Sequence, residues 1–582
     1  MKTKISAFML SIIMLLSLTA CAVTPSSSDI GNETTPPDVT ASPSPAPVFP
    51  TYPEESADIA DLSEYTIVYP SYYDEYRMGE VFLLKDTIKK VTGAELDIIS
   101  DGEEEREHEI IFASSKRQNG VEESISMFQS GLDYVVGTLN GNIILGGNNY
   151  YADMRAVYDF VNNYLGYNDI DNIYSEPQKS VDGINYHIYK EPDIIIKAAN
   201  FGGRFTEIWQ VRDVAEANFN MFHLDAFHVG YSDTEIVDIL KWCARFGLKA
   251  IIHANFTRDS EGKYTGLYIK AADKYADNPA VYGHYLRDEP PLKDLSMYNN
   301  FAEMYKVQYG QYGWKLFLNH LFTDPIWNYL DEWDGLFSAV DTTGFDNYIS
   351  YGAKRDDEVL HRWERAREYT LRTGQDYWIY VECVCLADRN ASKMFRWQSY
   401  MSLCFGADAL LYWNYSVPFG KLEEWDEWLV DDKFNRTDGW YDAQRTNAEL
   451  LKLAPIYVQY ENKGACVINQ HKEELFTYLE TPYDCSDVIT DFIADGINKD
   501  TPYLIGSFDK KEGNGKAFII MNINTIDDVP YDETESEPVR MKINGENVSF
   551  YFEGEKQNIQ KDSDGYYSIN MGNGYCWFVT VD

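Results

Sequence analysis

Val281-Tyr282-Gly283-His284-Tyr285-Leu286-Arg287-Asp288-Glu289-Pro290-Pro291 is a mostly apolar and aromatic run that stops on two acids and two prolines. A strand of a parallel sheet, buried on both faces, reads as such a continuous run rather than as an alternation. Comparable runs begin near Asp193, Asn218, Leu248, Trp314, Val340, Asp376 and Asp408, so eight of them recur at intervals of 25 to 36 residues. Each is followed by a polar loop and an amphipathic helical stretch. A βα unit needs about 30 residues, so the span from about 190 to 455 accommodates one closed (β/α)₈ barrel. A doubly wound open sheet is the alternative. Asn200-Phe201-Gly202-Gly203-Arg204 disfavours it, because no Gly-rich phosphate turn comes after the first strand.

Outward from the barrel the patterns change. On the N-terminal side, residues 57–188 read as an α/β unit: strands at Tyr65 to Tyr69, Glu95 to Ile99 and His108 to Ala113, and a hairpin from Asp133 to Leu145 turning at Asn140-Gly141. A helix lies around Gly79 to Val91, and another runs from Tyr151 to Leu165 with Gly166 at its expected C-terminal cap. On the C-terminal side, residues 459–582 carry strand runs at Gly464 to Ile468, Glu474 to Glu480, Tyr503 to Phe508, Lys516 to Asn522, Val539 to Ile543, Val548 to Phe552 and Tyr575 to Val581. The expected fold class is therefore α/β: a (β/α)₈ barrel over 189–458 between a small N-terminal α/β domain and a C-terminal antiparallel β-sandwich.

The first residues set the compartment. Lys2 and Lys4 precede an apolar run from Ile5 to Leu18, shorter than the roughly 20 residues of a spanning helix, so residues 1–20 read as an export signal. Residues 21–56 are rich in Ser, Thr and Pro and cannot bury enough apolar surface to offset their ordering entropy; they read as a disordered tether. The net charge of -43 excludes a nucleic-acid partner of the usual kind, since phosphate contacts need clustered Lys and Arg. Beyond Cys21 there are seven cysteines without the paired spacing of a zinc site, and most are expected to be buried small hydrophobes. No metal and no cofactor is expected. Tyrosine is abundant, with 45 residues, and rings with a polar edge suit sugar clefts.

A barrel places its active site at the C-terminal ends of its strands. Asp288 and Glu289 end the fourth, and Glu382 ends the seventh, Trp378-Ile379-Tyr380-Val381. Two carboxyls about 5 Å apart can divide glycosidic cleavage, one attacking the anomeric carbon while the other protonates the leaving oxygen. The remaining strand ends supply a lining for sugar hydroxyls and pyranose faces: Asp225, His253, Asn255, His320, Asp346, Tyr348 and Trp413, the two aromatics being the preferred stacking platforms. Structural readings compete with each role. A carboxylate pair before Pro-Pro also suits a helix cap, and a single His or Tyr at a strand end serves equally as a hydrogen-bonded structural residue.

Several of these stretches resemble known families. Leu18-Thr19-Ala20-Cys21 resembles a bacterial lipobox, which implies a lipidated Cys21 anchoring the chain to the membrane. The strand-four and strand-seven acids resemble those of the clan A glycoside hydrolases, which implies Glu289 as acid/base and Glu382 as nucleophile. That clan commonly has Asn where Asp288 stands, and the adjacent Asp-Glu also resembles hexosaminidase-type enzymes, in which Asp288 would orient a substrate acetamido group. The segment from Arg396 to Trp413, with Gln398 and Gly406-Ala407, is similar to the seventh helix and eighth strand of β-galactosidase-like barrels. The N-terminal unit looks like the small domain preceding the barrel in hexosaminidase-like and α-glucuronidase-like enzymes. Together these imply an exported carbohydrate-active enzyme. A carbohydrate-binding lipoprotein without turnover is the competing class.

Overall fold

The structure, a computed structural model, describes residues 52–582 apart from 118–119, 185–193, 202, 227, 322–339, 347, 349–356, 384, 387–394, 418–424, 427, 469–478, 480–481, 495–501, 524–535 and 573. Eight parallel strands close a barrel in strict chain order: Ile195–Ala198, Met221–Leu224, Lys249–His253, Val281–Arg287, Lys315–Leu321, Thr342–Asp346, Asp376–Glu382 and Ala409–Trp413. Closure comes from the eighth strand pairing with the first, Ala409 opposite Ile195 and Tyr412 opposite Ala198. These are the eight runs expected from the sequence, within three residues at each start.

Two apolar clusters explain why the runs are unbroken. Met221, Ile251, Tyr285, Phe317, Trp378, Tyr380, Ala409 and Leu411 fill the barrel interior. Their neighbours Phe222, Ile252, Leu286, Leu318, Phe345, Ile379 and Leu410 face the surrounding helices instead. Most of the strands are thus apolar on both sides. One unit departs from the expected rhythm, because the third strand is followed by a hairpin, Asn255–Arg258 against Tyr264–Tyr268, before the fourth begins. Phe256, Thr257, Tyr264 and Thr265 carry the aromatic and β-branched bias of strands, and Gly262 at φ +81° supplies the left-handed turn residue.

The fourth strand is set tightly against the fifth. A Cβ on Gly283 would lie 1.9 Å from the Lys315 carbonyl oxygen. Further along, the register slips between Tyr285 and Arg287, an irregularity of the kind that bends a strand and re-aims the residues after it. Those residues are Asp288 and Glu289.

The N-terminal unit is a five-stranded mixed sheet in the order Asp97–Ser100, Thr66–Tyr69, Glu109–Phe112, Asn142–Gly146, Val135–Leu139. Helices Met78–Thr92 and Tyr150–Asp159 are both present; the second continues through a π turn, Phe160–Tyr164, to Gly166 at φ +66°. Its apolar residues Met154 and Val157 share one core with Ile236 and Leu240 of the barrel helix Asp233–Phe246.

The C-terminal unit packs a six-stranded antiparallel sheet, Tyr460–Ile468, Tyr503–Lys510, Lys516–Asn522, Cys576–Val581, Val548–Phe552 and Glu555–Gln557, against a three-stranded one, Ile489–Ala494, Glu537–Ile543 and Tyr567–Met571. Ile505, Phe518, Ile520 and Val579 meet Val539, Met541 and Ile569 between them. Ile489–Ala494, Glu555–Gln557 and Tyr567–Met571 add strands not expected from the sequence, while the expected strand at Glu474 to Glu480 falls mostly outside the described residues, as do the N-terminal segment and Cys21. Among the described residues no helix is long and apolar enough to cross a membrane.

Candidate functional site

Three acids meet at the C-terminal mouth of the barrel. Asp288 accepts a hydrogen bond from the Tyr285 hydroxyl at 2.7 Å and another from Asn319 Nδ2 at 3.0 Å. The same Asn319 amide donates to Asp346 at 2.9 Å, and the Tyr348 hydroxyl reaches Asp346 at 3.1 Å. Asp346 in turn is hydrogen-bonded to the carboxyl of Glu289. Two carboxyls bonded to each other hold one proton between them. Asp346 is only 4% exposed, and burial, reinforced by the charge of Asp288, raises its pKa well above the ordinary carboxylate range. Glu289 lies above it, open to solvent at the mouth. It is raised too, first by loss of hydration and then by Asp288, with the hydrogen bond from Asp346 opposing the rise. Asp346 is therefore the buried holder of the shared proton, and Glu289 the end of the pair that an incoming molecule meets.

The backbone at Glu289 is unusual. Its φ is +41°, a left-handed conformation for a side chain with a Cβ, held by a hydrogen bond from its N–H to the Asn319 carbonyl at 3.1 Å. Such a conformation costs on the order of 1–2 kcal/mol. In this conformation the carboxyl is hydrogen-bonded to Asp346.

Lys197 sits on the barrel axis beneath this trio, fully buried. Its ammonium faces the Phe317 ring at 4.5 Å and the Tyr285 and Tyr380 rings at 5.4 Å, and it donates a long hydrogen bond, 3.4 Å, to the Tyr380 hydroxyl. Tyr380 is hydrogen-bonded to Tyr285, which donates to Asp288, so polar contact runs unbroken from the barrel floor to the acids. Burial pulls the lysine pKa down to about 7, against the opposing pull of Asp288 and Asp346.

A second cluster lies at the ends of the second and third strands. Asp225 accepts from Nδ1 of His228 at 3.0 Å and from Nδ1 of His253 at 3.1 Å. Although burial opposes it, these bonds hold Asp225 well below the ordinary carboxylate range. His228 is raised in return, chiefly by the same bond. His253 stands edge-on to Tyr285 at 4.7 Å, which joins this cluster to the acid trio. His223 is stacked on Tyr285 at 4.8 Å, fully buried, with neither ring nitrogen hydrogen-bonded; burial holds it neutral. Asp225, His228 and His253 are also the group among the described residues whose ligand atoms come close enough together to hold a cation.

The expected site residues divide by where their side chains go. Glu382 ends the seventh strand opposite Trp413, 2% exposed, on the inward parity shared with Tyr380; Gln398 of the helix Phe395–Cys404 brackets its backbone, accepting from its N–H at 2.9 Å and donating to its carbonyl at 3.1 Å. Tyr348 and Trp413 face one another at 5.5 Å with their rings tilted by 37°, forming an aromatic wall beside the acids. Asn255 is buried at the start of the hairpin, and its amide nitrogen has no partner. His320 goes the other way, packing against Phe345 and against Tyr369 of the helix Asp357–Thr373, outside the strands. Its neighbour Asn319 is the residue that reaches the acids. Tyr285, Tyr380, Lys197 and His228 also belong to the site, although strand-end position does not point to them; the signal for Lys197 is a lone cation inside Ile194-Ile195-Ile196-Lys197-Ala198-Ala199.

No family model and no curated protein matches the chain. Among solved structures it is similar to a GH51 arabinofuranosidase from Xanthomonas axonopodis pv. citri (8% identity, 67% of this chain and 96% of that one, TM-score 0.39). It is also similar to CpGH84D (11%, 69% and 72%, TM-score 0.37) and to a β-galactosidase from the haloarchaeon Halorubrum lacusprofundi (14%, 45% and 58%, TM-score 0.32). The matched part spans 58% of the length of that β-galactosidase, and 62% of the one from Marinomonas.

Proposed function

We propose that the chain is a glycoside hydrolase, exported and anchored through a lipidated Cys21, that cleaves glycosidic bonds at the barrel mouth. The observation that carries this reading is the Glu289–Asp346 pair, two carboxyls sharing a proton at the end of a barrel, with Glu289 open to solvent. Glu289 is the general acid: the proton it shares with Asp346 passes through it to the leaving oxygen, and the pair regains one proton from the water that completes hydrolysis. Such assistance is worth about 10²–10⁴-fold. Tyr348 and Trp413 take the apolar face of a sugar ring, and the Asp225–His228–His253 cluster with Asn255 takes its hydroxyls.

In the retaining form of this reading Glu382 attacks the anomeric carbon. A specific observation favours a second form. Asp288 is fixed as an acceptor by Tyr285 and Asn319, the arrangement needed to orient a substrate acetamido group so that its own oxygen attacks. Aryl glycosides with either a 2-hydroxyl or a 2-acetamido group separate the two. Retaining hydrolysis requires turnover of 2-hydroxyl substrates, loss in Glu382→Ala and rescue of that variant by azide. Assisted hydrolysis requires turnover confined to 2-acetamido substrates, lost in Asp288→Asn. If no glycoside on a broad panel is turned over, and Glu289→Gln leaves glycan affinity unchanged, the chain is a binding protein and the hydrolase reading fails.

A further inference from the structure

Cys466, on the sandwich strand Tyr460–Ile468, and Cys485, just before the strand Ile489–Ala494, lie 19 residues apart in sequence with their sulfurs in direct contact at 2.8 Å. Both are buried in the core between the two sheets, among Val488, Ile489, Ile505 and Phe518. The surrounding backbone holds them there: Tyr483 N–H donates to the Ala465 carbonyl at 2.8 Å, and Val488 and Ile489 N–H donate to the Cys485 carbonyl at 3.1 and 3.0 Å. Among the described residues no third ligand atom joins them. Cys243, Cys383, Cys404 and Cys576 are buried as well.

We propose that Cys466 and Cys485 are joined by a disulfide in the working protein. The bond ties the three-stranded sheet to the six-stranded one across the sandwich core. It constrains the unfolded chain more than the folded one, which is how a cross-link between segments already side by side stabilises. Formation proceeds by exchange with a disulfide oxidant, either oxidised glutathione or a disulfide-bonded oxidoreductase. The Cys485 thiolate attacks one sulfur of the oxidant, breaking its S–S bond and releasing one thiol. The Cys466 thiolate then displaces the second, so the two cysteines lose two protons and two electrons and the oxidant leaves as two thiols. The hydrogen bond from Cys466 holds Cys485 below the usual thiol range, which suits it to the first attack. Export to an oxidising compartment, as the N-terminal residues imply, is where such a bond persists.

The test uses the full chain, equilibrated with oxidised and reduced glutathione at the poise of an oxidising compartment. It is then denatured in excess iodoacetamide without reductant, digested and weighed. The expected result is one cross-linked peptide pair carrying Cys466 and Cys485, lighter by two hydrogens than the free peptides together, with Cys243, Cys383, Cys404 and Cys576 all alkylated. Alkyl groups on both Cys466 and Cys485 overturn the proposal. As a second readout, reduction lowers the melting midpoint of the sandwich by on the order of 5–10 °C, and the double variant Cys466→Ala/Cys485→Ala no longer responds to reductant. A wild type that is equally unresponsive also overturns it. Because the oxidant is supplied in the tube, neither outcome depends on the export or hydrolase readings.

Discussion

Substituting Glu289 by Gly, Ala and Gln separates what this residue costs the fold from what it does for a substrate. At an ordinary helix or strand position Gly is less stable than Ala by about 0.5–1 kcal/mol, because it loses more backbone freedom on folding. At φ +41° the ranking inverts, since the Cβ of Ala is penalised by about 1–2 kcal/mol and Gly escapes it. The difference leaves Glu289→Gly more stable than Glu289→Ala by about 0.5–1 kcal/mol, a shift of about 2–4 °C per kcal/mol for a domain of roughly 200 residues. Glu289→Gln keeps the strain and the volume but gives up the shared proton, and all three lose about 10²–10⁴-fold in kcat on glycosides with poor leaving groups. Urea denaturation and calorimetry give the stabilities; turnover of alkyl against nitrophenyl glycosides gives the chemistry, the nitrophenyl group needing little protonation. An Ala variant more stable than the Gly variant refutes the strained backbone. Equal losses on both leaving groups refute Glu289 as the acid.

Three further outcomes rest on the same geometry. Asp346→Asn cannot hold the proton, and it removes the repulsion between two charged carboxyls that keeps the pair protonated as the pH rises. Because the acid acts while protonated, activity is present below the raised pKa of the pair and lost above it. The alkaline limb of kcat/KM therefore moves to lower pH in this variant, and an unmoved limb counts against the shared proton. Lys197, held at about 7 in the fold against an ordinary 10.5, is penalised whenever it is charged: the native state binds fewer protons than the unfolded chain between those values, so this group's penalty is full below pH 7 and fades toward 10.5. Lys197→Met is expected to raise stability by a few kcal/mol at pH 6 and by less at pH 9, and denaturant titrations at the two pH values check it. Gly283→Ala drives a Cβ to 1.9 Å from the Lys315 carbonyl oxygen and 2.7 Å from its carbon, costing about 3 kcal/mol or more. Gly310→Ala, with no atom within 4 Å, leaves the melting midpoint within a degree or two of wild type.

The barrel is legible in the sequence because its strands are buried twice over. Ala250–Ile252, Trp378–Val381 and Ala409–Trp413 stand out as unbroken apolar runs since one parity packs the barrel axis and the other the helices. The same property hides the site. In a half-exposed sheet, alternation tells which residues face which way; in Leu316-Phe317-Leu318-Asn319-His320 both parities are apolar until the strand ends, so nothing local says whether Asn319 or His320 turns inward. Residue chemistry favours His320 as the sugar-facing side chain, yet the structure turns it out against Tyr369 while Asn319 bridges Asp288 and Asp346. Parity in such a strand is set by register with both neighbours, here Gly344 opposite Asn319 and Phe317 opposite Tyr285.

Asp346 illustrates the same limit on the chemistry. As a strand end it reads as one more hydroxyl-binding acid; its role as proton partner of Glu289 depends on the irregularity after Tyr285, which places two acids 57 positions apart within a hydrogen bond. Lys197 is open to a stricter reading, since a lone cation inside a strand buried on both faces must meet opposite charge or aromatic faces, or shed its proton. Here three rings surround it, and Asp288 and Asp346 lie close enough to oppose the fall of its pKa to about 7. That residue, rather than any acid, carries the earliest sign in the sequence that the floor of this barrel is built to face a cluster of negative charge.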